Sequence, residues 1–445
     1  MIERILIANR GEVAVRIARS CRRLGVEPVG VHVDADASCP HIDACDRTVR
    51  IGAEHTAYRD PVALVAAARE AEVHAVHPGY GLLAAEAAFA QAVEEQGLIF
   101  VGPASERFEV CRDRLAVQEV AREAGVRLLV GSLRPILEPG DALADVDRVG
   151  YPVSPQGVLG LGEPTLLHRA DDVADLSDAL DALGELEAVG GGLLTRYVER
   201  ARHVEVQVAY DGRHAHVLGD RECSLRKDGR KLLCEAPAPA IDQLYTAEAV
   251  RGALWDASVE VTQRIGVRGL AACHFVIDPD GVFFFTGFTP GLQVEHATTE
   301  MTTALDLVEL QLTLAAGEAL SDEVLRTEPS GAALQARIDA ALDPRSSGPL
   351  PGRVEAARWP PAPQGRVRIE AGVRVGSVVD PSHEALVATV TTFAAGRHDA
   401  LLTLDRILAE THLSPLVTNL RLLRKALNHE SFRAGQYDAD FVQRI

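Results

Sequence analysis

The first hundred residues alternate between short apolar runs and stretches with helical spacing. The apolar runs predict strands at 5–8, 28–33, 75–76 and 98–101. The helical spacing predicts helices at 13–24, 61–70 and 85–96. Strands that alternate with helices indicate a doubly wound parallel sheet. The turn after the first strand, Asn9-Arg10-Gly11-Glu12, lacks the GxGxxG spacing of a dinucleotide-binding site.

The pattern changes in the second half of the chain. Residues 130–203 contain short strands and helical runs, one of them at 171–183. Strict alternation from residue 203 puts Val204, Val206 and Val208 on one strand face and His203, Glu205 and Gln207 on the other. Segments 271–277 and 282–288 flank an Asp-Pro-Asp-Gly turn, which predicts a hairpin. A last helix is predicted at 417–427.

Composition excludes several classes of protein. The chain has 445 residues, 47% hydrophobic and 24% charged, as in an ordinary globular protein. No apolar stretch approaches the roughly 18 residues that span a bilayer, and the amino terminus is charged where a signal peptide would be apolar. Seven cysteines without a CxxC predict neither a disulfide framework nor a zinc site, and they favour the reducing cytoplasm. The net charge of −19 argues against a nucleic-acid partner.

Six short strings resemble the biotin carboxylase family of ATP-grasp enzymes, in the same order and spacing over the whole chain. They are IANRGE (7–12), HPGYG (77–81), RHVEVQV (202–208), EAPAP (235–239), QVEH (293–296) and TN (418–419). The resemblance implies an α/β fold, α+β overall, with four parts. These are a Rossmann-like domain (1–128), a lid subdomain (129–203), an ATP-grasp core (204–330) and a carboxy-terminal antiparallel-sheet domain (331–445). Family members use ATP and magnesium to carboxylate biotin on a carrier, and they are commonly dimers.

The resemblance also implies that the metal site has changed. The family holds magnesium with two glutamates and an asparagine on the predicted hairpin, and His274, Gly287 and Thr289 stand at these positions. Magnesium prefers hard oxygen ligands, usually carboxylates. A lone histidine is more often structural than a ligand, so we expect no metal at this site.

Other positions that contact ATP in the family differ as well. Gln156 occupies the position at which the family has a phosphate-binding lysine. Val158, Leu159 and Leu161 interrupt the glycine run of the lid, and Glu163 adds negative charge near the expected phosphate position. Arg114 replaces a second lysine but keeps its charge. Thr195-Arg196 replaces the acidic and basic pair that grips adenine. Gly291 occupies the position of the family's arginine that stabilises charge during carboxylation. Removing one such hydrogen-bond donor lowers the catalytic rate by a factor of about 10²–10³.

One corner of the family's pocket remains. Lys231 is one of only three lysines and occupies the bicarbonate position. Gln293, Val294 and Glu295 match the bicarbonate and general-base cluster, Arg337 matches the arginine placed against biotin, and Tyr80 and His203 lie on the biotin and bicarbonate side. Glu295 could take a proton if burial raised its pKa. The alternative is that these residues only satisfy buried hydrogen bonds.

Three further expectations concern neighbouring residues. Cys234 and His274 both replace family glutamates, so a Cys–His nucleophile is conceivable, although Cys234 should face away from Lys231 on an alternating strand. The charged strings 220–222 and 226–228 indicate solvated loops or interface contacts. Gly229 and Arg230 replace a histidine and a glutamine on the biotin side.

Three functions are compatible with these retained and replaced family residues. The first is a non-catalytic partner of a carboxylase, as a homodimer or as a heterodimer with an active biotin carboxylase, and a biotin carrier protein is a further partner. The second is a repurposed enzyme that uses Lys231, Glu295 and Arg337 on a carboxylated or carbonyl substrate without ATP. The third is an authentic ATP-dependent biotin carboxylase. For the first two, no cofactor is expected, and ATP, magnesium and biotin enter by resemblance alone.

Overall fold

The computed structural model describes residues 2–160, 169–184, 186–227, 229–340, 352–379 and 385–445. Over these residues the chain combines a parallel sheet near the amino terminus with a large antiparallel sheet in its second half. The domain boundaries expected after residues 128, 203 and 330 stay a prediction.

The amino-terminal sheet is parallel, with the strand order β3-β2-β1-β4-β5. Its strands are β1 (Arg4–Ile7), β2 (Glu27–Val33), β3 (Arg47–Gly52), β4 (Ala75–His77) and β5 (Ile99–Phe100). The helices around it are α1 (Gly11–Arg23), α2 (Pro40–Ala44), α3 (Pro61–Glu70), α4 (Ala87–Glu94), α5 (Phe108–Arg112) and α6 (Arg114–Glu123). Ile5 and Ile7 pack against α1, whereas Leu6 packs in a separate cluster with α3 and α4. Apolar layers on both faces confirm the predicted doubly wound sheet.

Local capping explains where two of these helices begin. Helix α3 starts as predicted because Asp60 accepts hydrogen bonds from the N–H groups of Val62 and Ala63, and Pro61 suits the first turn. Helix α4 is shorter than the predicted 85–96, since Glu86 before it has an extended backbone with φ of −101° and ψ of 107°.

The loops after β1 and β4 meet because these strands are parallel neighbours. Asn9 Nδ2 donates to the carbonyl oxygens of Pro78, at 2.7 Å, and Tyr80, at 2.8 Å. Gly79 has a φ of +68°, and a Cβ there would lie 2.8 Å from Asn9 Nδ2. The position therefore requires glycine. IANRGE and HPGYG, separated by 64 residues in the printed sequence, form one corner of the molecule.

A small unit follows, built on a two-stranded antiparallel sheet. Its elements are α7 (Pro139–Val149), β6 (Val153–Gly157), α8 (Val173–Ala182) and β7 (Gly192–Arg196). The predicted helix at 171–183 is confirmed as α8, which Asp172 caps by accepting from the N–H groups of Ala174 and Asp175. Leu176, Leu180 and Leu194 belong to a core cluster of this unit.

An eight-stranded antiparallel sheet dominates the second half, in the order β12-β11-β8-β9-β10-β13-β18-β16. The strands up to residue 340 are β8 (Arg202–Tyr210), β9 (Ala215–Lys227), β10 (Arg230–Ala236), β11 (Gly269–Ile277), β12 (Phe283–Pro290) and β13 (Ala332–Asp339). The helices are α9 (Pro239–Asp242), α10 (Ala247–Ile265), α11 (His296–Thr303), α12 (Leu307–Ala315) and α13 (Asp322–Leu325). The predicted hairpin is confirmed as β11–β12, since Asp278 accepts from the N–H groups of Asp280 and Val282 across the turn.

The last hundred residues complete this sheet and cover it. They form β14 (Gly352–Arg353), β15 (Ala356–Arg358), β16 (Val367–Ala371), β17 (Val378–Val379), β18 (Leu386–Ala394), α14 (Arg397–Glu410), β19 (His412–Ser414), α15 (Leu420–Leu427) and α16 (Glu430–Arg433). Short 3₁₀ helices lie at 34–36, 55–59, 82–85, 105–107, 186–189 and 441–444. Helix α15 starts after the predicted residue 417 because Asn419 instead holds β13, accepting from Asp339 N–H and donating to the Arg337 carbonyl, each at 3.0 Å.

Candidate functional site

Three neighbouring strands bring polar side chains together on one face of the large sheet. The register places Glu205 on β8 opposite Arg221 on β9 and also opposite His274 on β11. All three residues are buried. Buried charges are tolerated only when they are paired and hydrogen-bonded, and this face is built accordingly.

Glu205 is the centre of a buried ionic network. Its Oε1 accepts from Lys231 Nζ at 2.5 Å and its Oε2 accepts from Arg221 Nε at 2.7 Å. Lys231 Nζ also donates to Glu295 Oε2 at 3.1 Å. Arg337 Nη1 lies 3.5 Å from Glu295 Oε1. The structure thus brings together Lys231, Glu295 and Arg337, the three residues that were expected to form one corner.

The charge state of Glu295 is the opposite of the sequence-based expectation. Burial alone would raise its pKa, but the charges of Lys231, Arg337 and Arg221 outweigh burial and hold the pKa well below its usual value. Glu295 is therefore an ionised acceptor in this arrangement. A carboxylate held in this state by its cations is a weak base until an ion pair is broken.

His274 fills the corner that the resemblance assigned to metal. Its Nε2 lies 2.6 Å from Thr289 Oγ1, and its Nδ1 lies 3.4 Å from Glu205 Oε1. Burial, followed by the charges of Lys231, Arg226 and Arg221, lowers the pKa of His274 well below its usual value, so the imidazole is neutral. Gly287 lies directly opposite His274 in the hairpin and contributes no side chain. Among the described residues, no group of three His, Cys, Asp or Glu side chains could hold a metal ion.

His203 is also buried and uncharged near this network. Burial first, and then His274 and Lys231, lower the pKa of His203 to about 4. Its backbone N–H donates to Ser224 Oγ at 2.9 Å. His203 therefore lies near His274 and Lys231, and at neutral pH it has no charge to offer an anion.

The positions that would contact ATP lie on or beside the small two-stranded unit. Gln156 Nε2 and Thr195 Oγ1 approach within 3.4 Å across this unit, and both side chains are buried. Arg114 Nη1 donates to the Gly157 carbonyl at 2.5 Å, and burial lowers the pKa of Arg114 to about 10. Arg196 is exposed. The expectations for Leu161 and Glu163 fall outside the described residues.

A cavity of about 650 Å³ opens beside the ionic network, between the amino-terminal corner and the large sheet. Its lining includes Glu12, Tyr80, Arg230, Thr289, Gln293 and Glu295. Tyr80 donates to Glu12 Oε1 at 2.6 Å. Gln293 Oε1 accepts from Arg221 Nη2, and the Val294 carbonyl accepts from Gln335 Nε2 at 3.0 Å. Gly291 lies on a second cavity, of about 440 Å³.

The expectation of a solvated loop was wrong for 220–222, where all three residues are buried, and for Arg226. Arg221 is not in a solvated loop, because it is fully buried within β9 and also donates to Gln207 Oε1 at 3.0 Å. Arg226 is buried too, while Lys227 is exposed and Asp228 lies outside the described residues. Glu205 and Arg221 were therefore missed as site residues. Their opposite charges on adjacent strand segments are the signal that could have paired them.

The expected orientation of Cys234 was also wrong. Register shifts occur in β10 between Lys231 and Leu233 and again between Leu233 and Glu235, and they break the simple alternation. Cys234 stands opposite Gln335 of β13, whose amide donates to the Val294 carbonyl of the site, and its thiol lies against Cys223. His274 contacts Thr289 and Glu205, and the Cys234 thiol contacts Cys223, so the Cys–His nucleophile stays a hypothesis.

Comparison with known families covers nearly the whole chain. Residues 1–108 match the biotin carboxylase N-terminal domain, residues 113–323 the ATP-binding domain of the carbamoyl-phosphate synthase L chain, and residues 335–444 the biotin carboxylase C-terminal domain.

Individual proteins give the same result. The chain is 36% identical to biotin carboxylase of Pseudomonas aeruginosa over 456 aligned positions, which cover 100% of this chain and 98% of that relative. It is 33% identical to the mitochondrial methylcrotonoyl-CoA carboxylase subunit alpha of Arabidopsis thaliana, covering 99% of this chain and 60% of that relative.

Solved structures extend the likeness to the fold. The biotin carboxylase domain dimer of Hydrogenobacter thermophilus 2-oxoglutarate carboxylase, in complex with MgADP, ADP and bicarbonate, matches with a TM-score of 0.92 and 28% identity, covering 100% of this chain and 98% of that chain. Biotin carboxylase of Campylobacter jejuni, in an ATP-analogue complex, matches with a TM-score of 0.91 and 27% identity, over 100% and 99% of the two chains. In the described part of the chain, no helix is both long and apolar enough to cross a membrane.

Proposed function

This chain belongs to the biotin carboxylase family, and we propose that within it the protein has lost ATP-dependent carboxylation and serves as a structural or regulatory partner of a carboxylase. The observation that carries the proposal is the His274–Thr289 hydrogen bond of 2.6 Å at the family's metal-binding hairpin. His274, Gly287 and Thr289 place no carboxylate at the family's metal-binding positions, and this hydrogen bond engages two of the three residues with each other.

The donor set around this corner does not fit a magnesium ion. Magnesium demands near-octahedral oxygen ligation at about 2.0–2.1 Å and is commonly bound through carboxylates. The nearest carboxylate is Glu205, and both of its oxygens already accept from Lys231 and Arg221. Releasing Glu205 for a metal would leave two buried cations without this partner, which is costly.

The small two-stranded unit supports the same proposal. A phosphate-binding lysine there would offer a cation, whereas Gln156 is neutral, buried and directed at Thr195. Arg114 keeps its charge but donates to the backbone of Gly157. Phosphoryl transfer depends almost entirely on such positioned charges, so their replacement argues against ATP turnover.

A second candidate function follows from the cavity beside Lys231. Four cations, Lys231, Arg221, Arg226 and Arg337, act on the region of Glu205 and Glu295, so cations outnumber carboxylates there in a chain whose net charge is −19. Such a site favours an anionic ligand. We therefore retain, as the alternative, an ATP-independent enzyme that acts on a carboxylated or carbonyl substrate in this cavity.

The proposed partners are another copy of this chain or an active biotin carboxylase, with a biotin carrier protein as a further partner. The Hydrogenobacter relative is described as a dimer, and the Arabidopsis relative as a carboxylase subunit. Co-purification of a biotinylated protein with the tagged chain from its own cells would support this assignment. Recovery of an isolated monomer under the same conditions would count against it.

Calorimetric titration with Mg·ATP and then Mg·ADP tests the loss of nucleotide use. We expect no binding heat at millimolar nucleotide and no bicarbonate-dependent ATP hydrolysis. The matched control is the triple variant His274→Glu, Gly287→Glu and Thr289→Asn, which restores the family's oxygen ligands and should bind Mg·ATP more tightly than the natural chain. Micromolar binding by the natural chain, with hydrolysis that requires bicarbonate and biotin, would establish an authentic biotin carboxylase instead.

A further inference from the structure

Two thiols meet at the back of the ionic network. Cys223 lies on β9 and Cys234 on the adjacent strand β10, and their sulfur atoms are 2.9 Å apart. Ordinary non-bonded contacts between heavy atoms are about 3.5–4.0 Å. Both residues are buried, with exposed fractions of 0% and 2%.

The strand register accounts for this close approach. Leu233 pairs with Leu225, but the next pairing is Glu235 with Glu222. Two residues of β9, Cys223 and Ser224, therefore stand opposite the single residue Cys234. A bulge of this kind re-aims side chains, and here it directs the two thiols at each other.

We propose that Cys223 and Cys234 form a reversible disulfide and that the pair is a redox modification site. A small peroxide is the oxidant that suits so enclosed a position. One cysteine sulfur attacks the O–O bond, which breaks to give a sulfenic acid and water. The second thiol then displaces the sulfenic hydroxyl as another water, and the S–S bond forms. Two thiols and one hydrogen peroxide thus give one disulfide and two waters.

Little movement separates the thiol pair from the bonded state. A disulfide requires sulfur atoms at about 2.05 Å and Cα atoms in the range set by neighbouring strands, and β9 and β10 are hydrogen-bonded neighbours.

The bond would cross-link the two strands that supply the cations paired with Glu205. Strand β9 carries Arg221 and strand β10 carries Lys231, and both side chains converge on Glu205. Oxidation would therefore restrain the two strands that hold Arg221 and Lys231 against Glu205. This inference does not depend on whether the chain binds nucleotide.

Peptide mapping of the full-length protein tests the bond directly. The reduced protein is treated with hydrogen peroxide, its remaining thiols are alkylated, and it is digested without reductant. We expect a cross-linked peptide pair joining Cys223 to Cys234, which dithiothreitol separates, with two of the seven thiols protected from alkylation. Sulfinic or sulfonic acid at either residue without a cross-link would overturn the proposal, as would seven unchanged thiols.

Cysteine variants test the specificity of the proposed disulfide, and hydrogen exchange tests its effect on the two strands. Cys234→Ala should abolish the cross-link, whereas the control Cys273→Ala, which removes another buried thiol, should retain it. If Cys234→Ala fails to fold, the natural protein alone still decides the mapping experiment. Amide exchange over 230–236 should slow by about tenfold on oxidation. Unchanged exchange in cross-linked protein would overturn the proposed restraint of the two strands.

Discussion

Glu205 is the residue on which most of the site's charges converge. It accepts from Lys231 at 2.5 Å and from Arg221 at 2.7 Å, and His274 Nδ1 lies 3.4 Å from its Oε1. Strand alternation placed Glu205 on the polar face of β8, but alternation cannot tell a solvated carboxylate from a buried one. The difference comes from residues that pack over that face, among them Glu295, which accepts from Lys231, and Thr299 of α11, whose hydroxyl lies 3.5 Å from Arg221 Nη1.

Replacing Glu205 with Gln should destabilise the protein severely. The substitution keeps the size of the side chain but leaves the buried cations Lys231 and Arg221 without this counter-charge. Removing one partner of a buried pair costs about 3–5 kcal/mol. Urea unfolding of the variant and of the natural protein at neutral pH measures the difference in their free energies of unfolding.

A matched surface change calibrates the Glu205 result. Glu260 forms an ion pair with Arg264 within α10, where both side chains are nearly half exposed. Glu260→Gln should cost no more than about 1 kcal/mol. Equal losses in the two variants would show that the network does not stabilise the fold.

At the scale of elements, prediction succeeded where local chemistry decides the outcome. Helix α3 has its Asp60 cap and Pro61, and the β11–β12 hairpin has its Asp-Pro-Asp-Gly turn, so both were predicted correctly. It failed at β10, where the register shifts turn Cys234 towards Cys223. A bulge depends on how two strands pair, so the alternation of apolar and polar residues along either strand does not predict it.

Gly79 allows a test of the corner that joins the loops after β1 and β4. A Cβ at Gly79 would lie 2.8 Å from Asn9 Nδ2 and 3.1 Å from Val13 Cγ2. Gly79→Ala should therefore lose stability both from its positive φ and from overpacking. Gly97 is the matched control, because its φ of +72° is similar and nothing lies within 4 Å of its Cβ position.

The difference between the two alanine variants isolates the steric contact. Gly79→Ala should cost about 1–3 kcal/mol more than Gly97→Ala, which is the usual range for overpacking. Thermal unfolding of both variants measures it. If the two variants have the same melting temperature, the contact of Gly79 with Asn9 does not restrain this corner.

At the scale of the whole molecule, residues far apart in sequence define the site. Strand β13, which carries Arg337, lies beside β10, about a hundred residues earlier in the chain. No local pattern predicts that neighbour relation, and only the family resemblance placed Arg337 near Lys231. A second long-range cluster surrounds Arg16 of α1, which lies 2.5 Å from Glu300, 2.9 Å from Asp306 and 3.5 Å from Glu370.

The Arg16 cluster should make stability depend on pH. Burial alone would raise the pKa values of Glu300 and Asp306, but the Arg16 charge holds both below their usual values. A carboxyl group with a lowered folded pKa adds stability above its unfolded pKa, about 4, and that stability is lost as the pH falls towards the folded value.

Arg16→Met should therefore cost about 3–5 kcal/mol at pH 7, and the gap to the natural protein should narrow as the pH falls below about 4. Melting temperatures across this range measure the gap. Arg22→Met is the control, because Arg22 and its partner Asp46 are nearly half exposed, and its small effect should stay constant. A gap for Arg16→Met that does not change with pH would contradict the charge-based explanation.

The two carboxylates on Lys231 also decide which ligands the cavity can hold. Glu205 and Glu295 lie 2.5 and 3.1 Å from the lysine nitrogen, and both are fixed parts of the chain. An incoming anion thus competes with tethered rivals whose effective concentration is high. We expect a singly charged anion such as bicarbonate to compete poorly with these carboxylates for Lys231, and a dianion to compete better. We therefore expect the ionic network to discriminate between anions by the number of charges that they carry.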